Sequence, residues 1–412
     1  MEVMHHCCCG LDVHKDTVVA CVRRTLPSGR VDNQVRTFGT TTAGLLELGD
    51  WLVEQKATIA AMESTGVYWK PVWNLLEGRV ELMLVNAREV KQVPGRKTDV
   101  KDCQWIAQLL SCGLLKPSFV PPVAQRELRD LTRTRTSLLQ DKARIANRLQ
   151  KTLEDANIKL GSVASDVLGV SGREMIRALI DGKLPPQQMA ELARRQLRSK
   201  IPQLTDALSG RVSEHHRFML KFQLDHIEQF EQQIAALDRR IQEVMSPLEQ
   251  TGMKLLDEIP GIDCRAAQNI LAEIGTDMSR FPSADHLASW AGMSPGNNQS
   301  AGKRRSGRMN DGNRWLKATL NQCAWAASRK KDSYFAAQHR RIASRRGVKR
   351  ATMAVAHSQL CVCFELLKHG QAYHDLGRDY FERTDEQRIR RNLVKRLERL
   401  GYAVTLDKKN AA

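Results

Sequence analysis

Cys7-Cys8-Cys9-Gly10-Leu11-Asp12-Val13 is an apolar run broken by one carboxylate, with His14-Lys15-Asp16 immediately after it. Its length and composition read as a β-strand, and Asp16 as a residue of the turn that ends it. A carboxylate inside such a strand is costly to bury unless it is paired or bound to a metal. Asp12 is therefore both a fold marker and a candidate site residue.

The pattern extends outward from this strand. Thr17 to Arg23 reads as a second strand, and the Pro27-Ser28-Gly29 turn leads into a third at about Arg30 to Phe38. Leu45, Leu46, Leu48, Trp51 and Leu52 have helical spacing behind a cap at Thr40 to Thr42. A strand at Thr58 to Glu63, a short helix at Trp69 to Leu76, a strand at Val80 to Val85 and a helix at about Thr98 to Leu115 follow. Three leading strands and then alternating helices and strands are the order of a ribonuclease-H-like α/β domain, placed at residues 1–120.

Three more acids belong with Asp12. Glu63 closes the strand Ala60-Ala61-Met62-Glu63, and Asp99 and Asp102 stand three apart on one helix face. Drawn together without counter-ions, four carboxylates repel and their pKa values rise. Two Mg²⁺ ions about 4 Å apart remove that penalty and clamp the attacking and leaving oxygens of a phosphodiester. Singly, each acid also has an ordinary structural explanation: a strand-end cap for Glu63, a helix N-terminal residue for Asp99, a surface charge for Asp102.

Beyond Pro121-Pro122 the character changes. Gln125 to Leu160 and Ser213 to Met245 are long charged helical stretches, suited to a coiled-coil-like hairpin within one protomer or to an oligomer contact across residues 121–250. The segments between them are punctuated by Pro and Gly. A mainly α C-terminal region at 251–375 begins with Leu255 to Ala272, read as a helix-hairpin-helix around Pro260-Gly261 whose backbone N–H groups can bind phosphate; an ordinary corner between two helices is the other reading. A loop runs from Met293 to Gly312, helices resume at Asn313 to Arg329 and Lys349 to His369, and a charged helical tail occupies 376–412.

Composition narrows the partners. The 412 residues carry 64 Lys plus Arg against 46 Asp plus Glu, a formal charge of +18. Between Lys303 and Arg350 stand 15 Lys or Arg and only two acids, Asp311 and Asp332. That density points to nucleic acid, DNA or RNA, as partner. Trp315, Trp325, Tyr334 and Phe335 lie in this region and suit base stacking or the core. The ten cysteines show no disulfide framework and fit a reducing cytoplasm; a zinc site of His5, His6 and Cys7 to Cys9 lacks a second ligand pair at finger spacing. No apolar run reaches about 18 residues, so no membrane span is expected, and no signal peptide is visible.

Gly10-Leu11-Asp12-Val13-His14-Lys15, Met62-Glu63-Ser64-Thr65-Gly66 and Lys97-Thr98-Asp99-Val100-Lys101-Asp102 resemble the acidic motifs of the DEDD insertion-sequence transposases, the one-ten/eleven-eleven family that includes Piv-type DNA invertases. Trp290-Ala291-Gly292-Met293-Ser294-Pro295, Gln299-Ser300-Ala301-Gly302-Lys303, Gly307-Arg308 and Gly312-Asn313-Arg314-Trp315-Leu316 resemble its C-terminal half. Cys7 to Cys9 replace the usual aliphatic strand, and Asn298-Gln299 precede Ser300 where variants occur.

The resemblance implies a RuvC-like first domain with Asp12, Glu63, Asp99 and Asp102 as metal ligands, and Ser300 as a nucleophile. It further implies a circular DNA intermediate, a structured non-coding guide RNA, and a prokaryotic, nucleoid-associated dimer or tetramer in which the RuvC-like site of one chain completes the serine site of another. From the residues alone Ser294, Ser300 and Ser306 all remain candidates. A reacting serine needs activation and nearby cations, which Lys303, Arg304, Arg305 and Arg308 supply in sequence, with Arg314 and Gly261 as further nucleic-acid contacts. Two enzymes fit: a recombinase passing through a phosphoserine, and a Holliday-junction resolvase-like nuclease using water. A nucleic-acid-binding protein with a decayed site is disfavoured by the four intact acids.

Overall fold

The structure, a computed structural model, describes residues 3–64, 66–86, 90, 102–296, 298–300, 303–306, 309, 311–384 and 386–406. The chain forms two compact units, Met1–Pro121 and Pro122–Ala412.

In the first unit β1 (Cys7–Val13), β2 (Thr17–Thr25) and β3 (Val31–Gly39) form an antiparallel meander. α1 (Thr42–Glu54), β4 (Ile59–Glu63), α2 (Trp69–Leu76), β5 (Glu81–Val85) and α3 (Asp102–Ser111) follow. The sheet order is β3-β2-β1-β4-β5, with β4 parallel to both β1 and β5. Thr41 caps α1 by accepting from the Gly44 N–H. The last helix is shorter than the Thr98 to Leu115 expected: the chain turns at Cys112-Gly113, and residues 98–101 lie outside the described ones.

Side-chain alternation covers both faces of the sheet. Cys9, Leu11 and Val13 of β1 join Ala60 and Met62 of β4 in a core closed by Leu45, Leu48 and Leu52 of α1 and Val72 and Leu76 of α2. Cys8, Ile59 and Ala61 point the other way, against Ile106, Leu109 and Leu110 of α3. The triple cysteine is thus packing material, as its strand reading requires; burial pushes the Cys8 thiol up to about 12. α3 lies directly on β1 at Gly10. A Cβ there would collide with the Cys103 carbonyl oxygen and stand 2.5 Å from the Ala107 nitrogen, so only glycine allows this approach.

The second unit opens with α4 (Val123–Asp155), then α5 (Leu160–Val163), α6 (Val170–Asp181), α7 (Pro186–Ala190), a 3₁₀ turn (Arg195–Lys200), α8 (Ile201–Ala207) and α9 (Glu214–Val244). The long helices α4 and α9 pair antiparallel: Leu149 and Leu153 share one core with Leu220, Leu224 and Ile227, while Leu128 shares another with Ile241 and Met245. The Pro- and Gly-punctuated stretch between them is itself folded, and its short helices cover the hairpin tip with Met175, Ile176, Leu179 and Leu204. Helices this short, interrupted at Pro185, Pro186 and Pro202, carry too few turns to show a period. Arg173 makes a bidentate pair with Glu231, at 3.0 and 2.6 Å, across the same region.

α10 (Pro247–Asp257), α11 (Cys264–Ile274), a 3₁₀ turn (Met278–Arg280), α12 (Ala284–Trp290), β6 (Asn298–Ser300), β7 (Lys303–Ser306), α13 (Arg314–Arg329), α14 (Tyr334–Arg346), α15 (Val348–His369), α16 (Tyr380–Thr384) and α17 (Glu386–Arg399) complete the unit. α15 is its axis: Val355, Ala356, Leu360, Cys363 and Phe364 are buried among the surrounding helices. The segment expected as a loop from Met293 to Gly312 contains a β-hairpin instead, β6 pairing antiparallel with β7 across residues 301 and 302. Two strands this short and polar show no apolar alternation, which hid them.

Gly10→Ala should cost about 3 kcal/mol or more, because the two nearest atoms that oppose the new methyl are backbone. Chemical denaturation followed by far-ultraviolet circular dichroism measures this, and an unchanged first transition would refute the close-approach account.

Candidate active site

The sheet face under α3 carries the acids. Gly10 and Asp12 alternate with the core residues of β1, and Ala61 and Glu63 do the same on β4. Leu11 pairs with Met62 in parallel register, so Asp12, next to last in β1, and Glu63, last in β4, lie side by side. Asp102 opens α3, whose N-terminus favours negative charge. Three of the four acids therefore meet at one corner of the sheet; Asp99 lies outside the described residues.

Their proximity is visible in Asp12. Burial pushes its carboxyl above the usual range, and the charges of Asp102 and Glu63 push the same way. His14 opposes the shift, its Nε2 standing 3.1 Å from Asp12 Oδ2. His14 is the residue that the motif contained and the sequence reading gave no role; two positions beyond Asp12, it shares that side of the strand. The three carboxylates are not packed into one ion's reach: among the described residues, a single trio of metal-binding side chains has all its donor atoms within 4.8 Å, and it lies elsewhere. A wider, all-oxygen donor set at a crowded corner fits a pair of hard divalent cations, whose charge removes the crowding.

The second unit holds the serine hairpin. Ser300 ends β6 and pairs with Lys303, while Gln299 pairs with Arg304. Lys303, Arg304 and Arg305 form β7, and Arg308 lies outside the described residues. Ser294 precedes the hairpin and Ser306 closes β7. The base of this segment is tied: Asn313 donates its backbone N–H to the Ala291 carbonyl at 3.2 Å and caps α13 by accepting from Trp315 and Leu316.

Asn313 also donates through Nδ2 to Glu273 Oε2, 2.7 Å away, and Glu273 is only 2% exposed. Arg133 of α4 binds the same carboxylate, bidentate at 2.7 and 2.8 Å, and Arg129 Nε stands 3.5 Å from it. Arg129 donates to the Ala272 and Glu273 carbonyls at the end of α11, and Gln125 donates to Ala272. A buried acid thus joins α4, α11 and the start of α13. Sequence reading missed it because Glu273 sits in a helix with nothing local to distinguish it.

Other anticipated contacts separate. Arg314 is exposed and lies 5.1 Å from the Trp315 ring, whose other neighbour, Arg133, is at 5.7 Å. Phe335 is core, Tyr334 stacks on Phe381, and Trp325 is exposed beside Arg329. Gly261 (φ +85°) faces α13, where a Cβ would meet the Cys323 carbonyl oxygen and the Ala327 nitrogen, so packing accounts for the glycine. The N-terminus of α11 is capped by the Asp263 carboxylate, which accepts from the Ala266 N–H at 2.8 Å. Arg345, Arg346, Lys349 and Arg350 are exposed at the junction of α14 and α15.

Comparison with known proteins finds two matching spans. Residues 9–158 match a transposase family of the DEDD, IS110 type, and residues 253–340 match the transposase family IS116/IS110/IS902. The first span contains all four acids and the second contains Ser300. A Streptomyces coelicolor protein described as an insertion element IS110 uncharacterized 43.6 kDa protein is 31% identical over 121 residues. That match covers 29% of this chain and 29% of the relative's length.

A carboxyl with a raised native pKa favours the fold while protonated, and loses that contribution as pH rises through its native value. At neutral pH the ionised Asp12 therefore weakens the native state. Asp12→Asn should melt higher than the parent in chelator at neutral pH, with the gap closing toward acid; equal melting at every pH would rule out the crowding. Glu273→Ala strands the buried side of Arg133 and should cost about 3–5 kcal/mol, read from the denaturation midpoint of the helical unit.

Proposed function

Since the chain belongs to the IS110 family of DEDD transposases, we propose that it is the recombinase of an insertion sequence, cutting and rejoining DNA at the element's ends. The observation that carries this reading is the corner shared by Asp12, Glu63 and Asp102, where burial first, and then the charges of Asp102 and Glu63, raise the Asp12 carboxyl. The strand order β3-β2-β1-β4-β5 supports a RuvC-like, ribonuclease-H-like assignment for the first unit.

Asp12, Glu63 and Asp102, with Asp99, are the residues to hold divalent cations, for which Mg²⁺ fits the all-oxygen donor set and would supply neutralising charge to reacting phosphate oxygens. His14 holds Asp12 in place through its 3.1 Å contact. Ser300, at the tip end of β6, attacks phosphorus: the Oγ–P bond forms, a backbone P–O bond breaks, the hydroxyl proton leaves Oγ, and the departing strand oxygen takes up a proton. The strand is then kept as a phosphoserine and passed to a new hydroxyl by the reverse step. Lys303, Arg304 and Arg305 on the paired strand, with Arg308 and Arg314, offset the charge that develops on phosphate.

The exposed cations around α14 and α15 suit DNA and a structured non-coding guide RNA alike, and the protein acts as a homo-oligomer, dimer or tetramer. Among the described residues no helix is long and apolar enough to cross a membrane.

Labelled element-junction DNA incubated with the protein, its flanking transcript and Mg²⁺, then run on a denaturing gel, tests the reading. A protease-sensitive adduct is expected, lost in Ser300→Ala and in Asp12→Asn while DNA binding survives in both. Cleaved ends without an adduct, unaffected by Ser300→Ala, would instead make it a resolvase-like nuclease with water as nucleophile.

A further inference from the structure

α12 and α15 bring together three side chains that the recombination chemistry does not use. Asp285 lies in the first turn of α12, and His357 and Cys361 stand one turn apart on α15. Their donor atoms all lie within 4.8 Å of one another, and His357 Nδ1 is 3.8 Å from Cys361 Sγ. A zinc ion at about 2.3 Å from sulfur and about 2.0 Å from nitrogen, with a tetrahedral angle between them, sets those two atoms roughly 3.6 Å apart. The observed separation is thus close to one edge of a zinc tetrahedron, without rearrangement of the helix. His357 and Cys361 are half-buried, and Asp285 is exposed.

We propose that Asp285, His357 and Cys361 form a three-ligand zinc site that clips α12 to α15, with the fourth position left to water or a further ligand. The donor set fixes the class of ion. Thiolate, imidazole and carboxylate together select a borderline-soft cation such as Zn²⁺, while Mg²⁺ takes oxygen donors and keeps its waters. The site is chemically distinct from the corner of Asp12, Glu63 and Asp102. Its place suggests what it does: α12 runs directly into Ala291, whose carbonyl accepts from Asn313 at the base of the serine hairpin. His357 also lines an open cavity of about 1040 Å³ with Met293, Pro295 and Met309, the residues flanking that hairpin. Metal binding therefore fixes the approach to the hairpin and is independent of whether Ser300 reacts.

Titrating chelator-stripped full-length protein with Co²⁺ tests the site, because tetrahedral cobalt bound to a thiolate gives a charge-transfer absorption that a carboxylate centre cannot produce. The expected result is a band that saturates at one ion per chain, is displaced by Zn²⁺ and resists excess Mg²⁺. Cys361→Ser should abolish it, whereas Ser at the exposed Cys264 should leave it intact. His357→Gln should loosen Zn²⁺ by at least about tenfold, since even partners one shell further out are worth that much. No saturable band in the unaltered protein, or a band that survives Cys361→Ser, overturns the proposal. The unaltered chain decides the first point even if a variant misfolds, and the adduct assay reads separately on the recombination chemistry.

Discussion

The contact on which the first unit depends is backbone against backbone. α3 approaches β1 so closely at Gly10 that a single methyl group would strike the Cys103 carbonyl. This approach brings the N-terminus of α3, and Asp102 with it, to the end of the strand that carries Asp12. A helix held further off by side chains would leave Asp102 away from the other two acids. The same packing buries Cys103, Ile106 and Ala107 and so fixes which way the helix faces. One residue without a side chain thereby joins the stability of the sheet to the geometry of its acidic corner. The corner is unfavourable in isolation, as the raised Asp12 carboxyl records, and it persists because the packing beneath overdetermines it.

In the helical unit, location is set by buried charge. Arg135 is 1% exposed, yet it is paired with Asp238 at 2.9 Å and further bonded to Gln268 and Asn269. Within two helical turns of it, Arg129 and Arg133 hold the end of α11 through Ala272 and Glu273. Such pairs give little net stability over an apolar equivalent, but breaking one partner leaves an uncompensated buried charge, so wrong registers of α4 on α11 are heavily penalised. Asn313 sits at the end of this chain of contacts. The anchoring of the serine hairpin is thus inherited from the long helix α4, far from it in sequence.

The two units divide the electrostatic labour. One gathers carboxylates where a phosphate would meet only repulsion without cations between; the other displays Arg345, Arg346, Lys349 and Arg350 on open helix ends. On the proposed function, polyanion affinity would reside in the second unit and metal-dependent chemistry in the first.

Much of this was written locally in the sequence. The strand at Cys7–Val13, the meander, α2 at Trp69–Leu76 and the long helices are short-range patterns, and the structure has them within a few residues of the expected bounds. Asp12 stood out because a carboxylate inside an apolar run needs a reason, and the period of two placed it beside Glu63 once the strands were parallel. The hairpin at Asn298–Ser306, the helices between α4 and α9, the role of His14 and the hub at Glu273 were not legible. Each depends on partners distant in the chain or on elements too short to have a period, and the trio of Asp285, His357 and Cys361 joins residues 72 to 76 positions apart. Periodicity and composition determine what a segment is; only packing decides which charged groups face one another, because that is fixed by where backbones can approach and where a buried charge finds its partner.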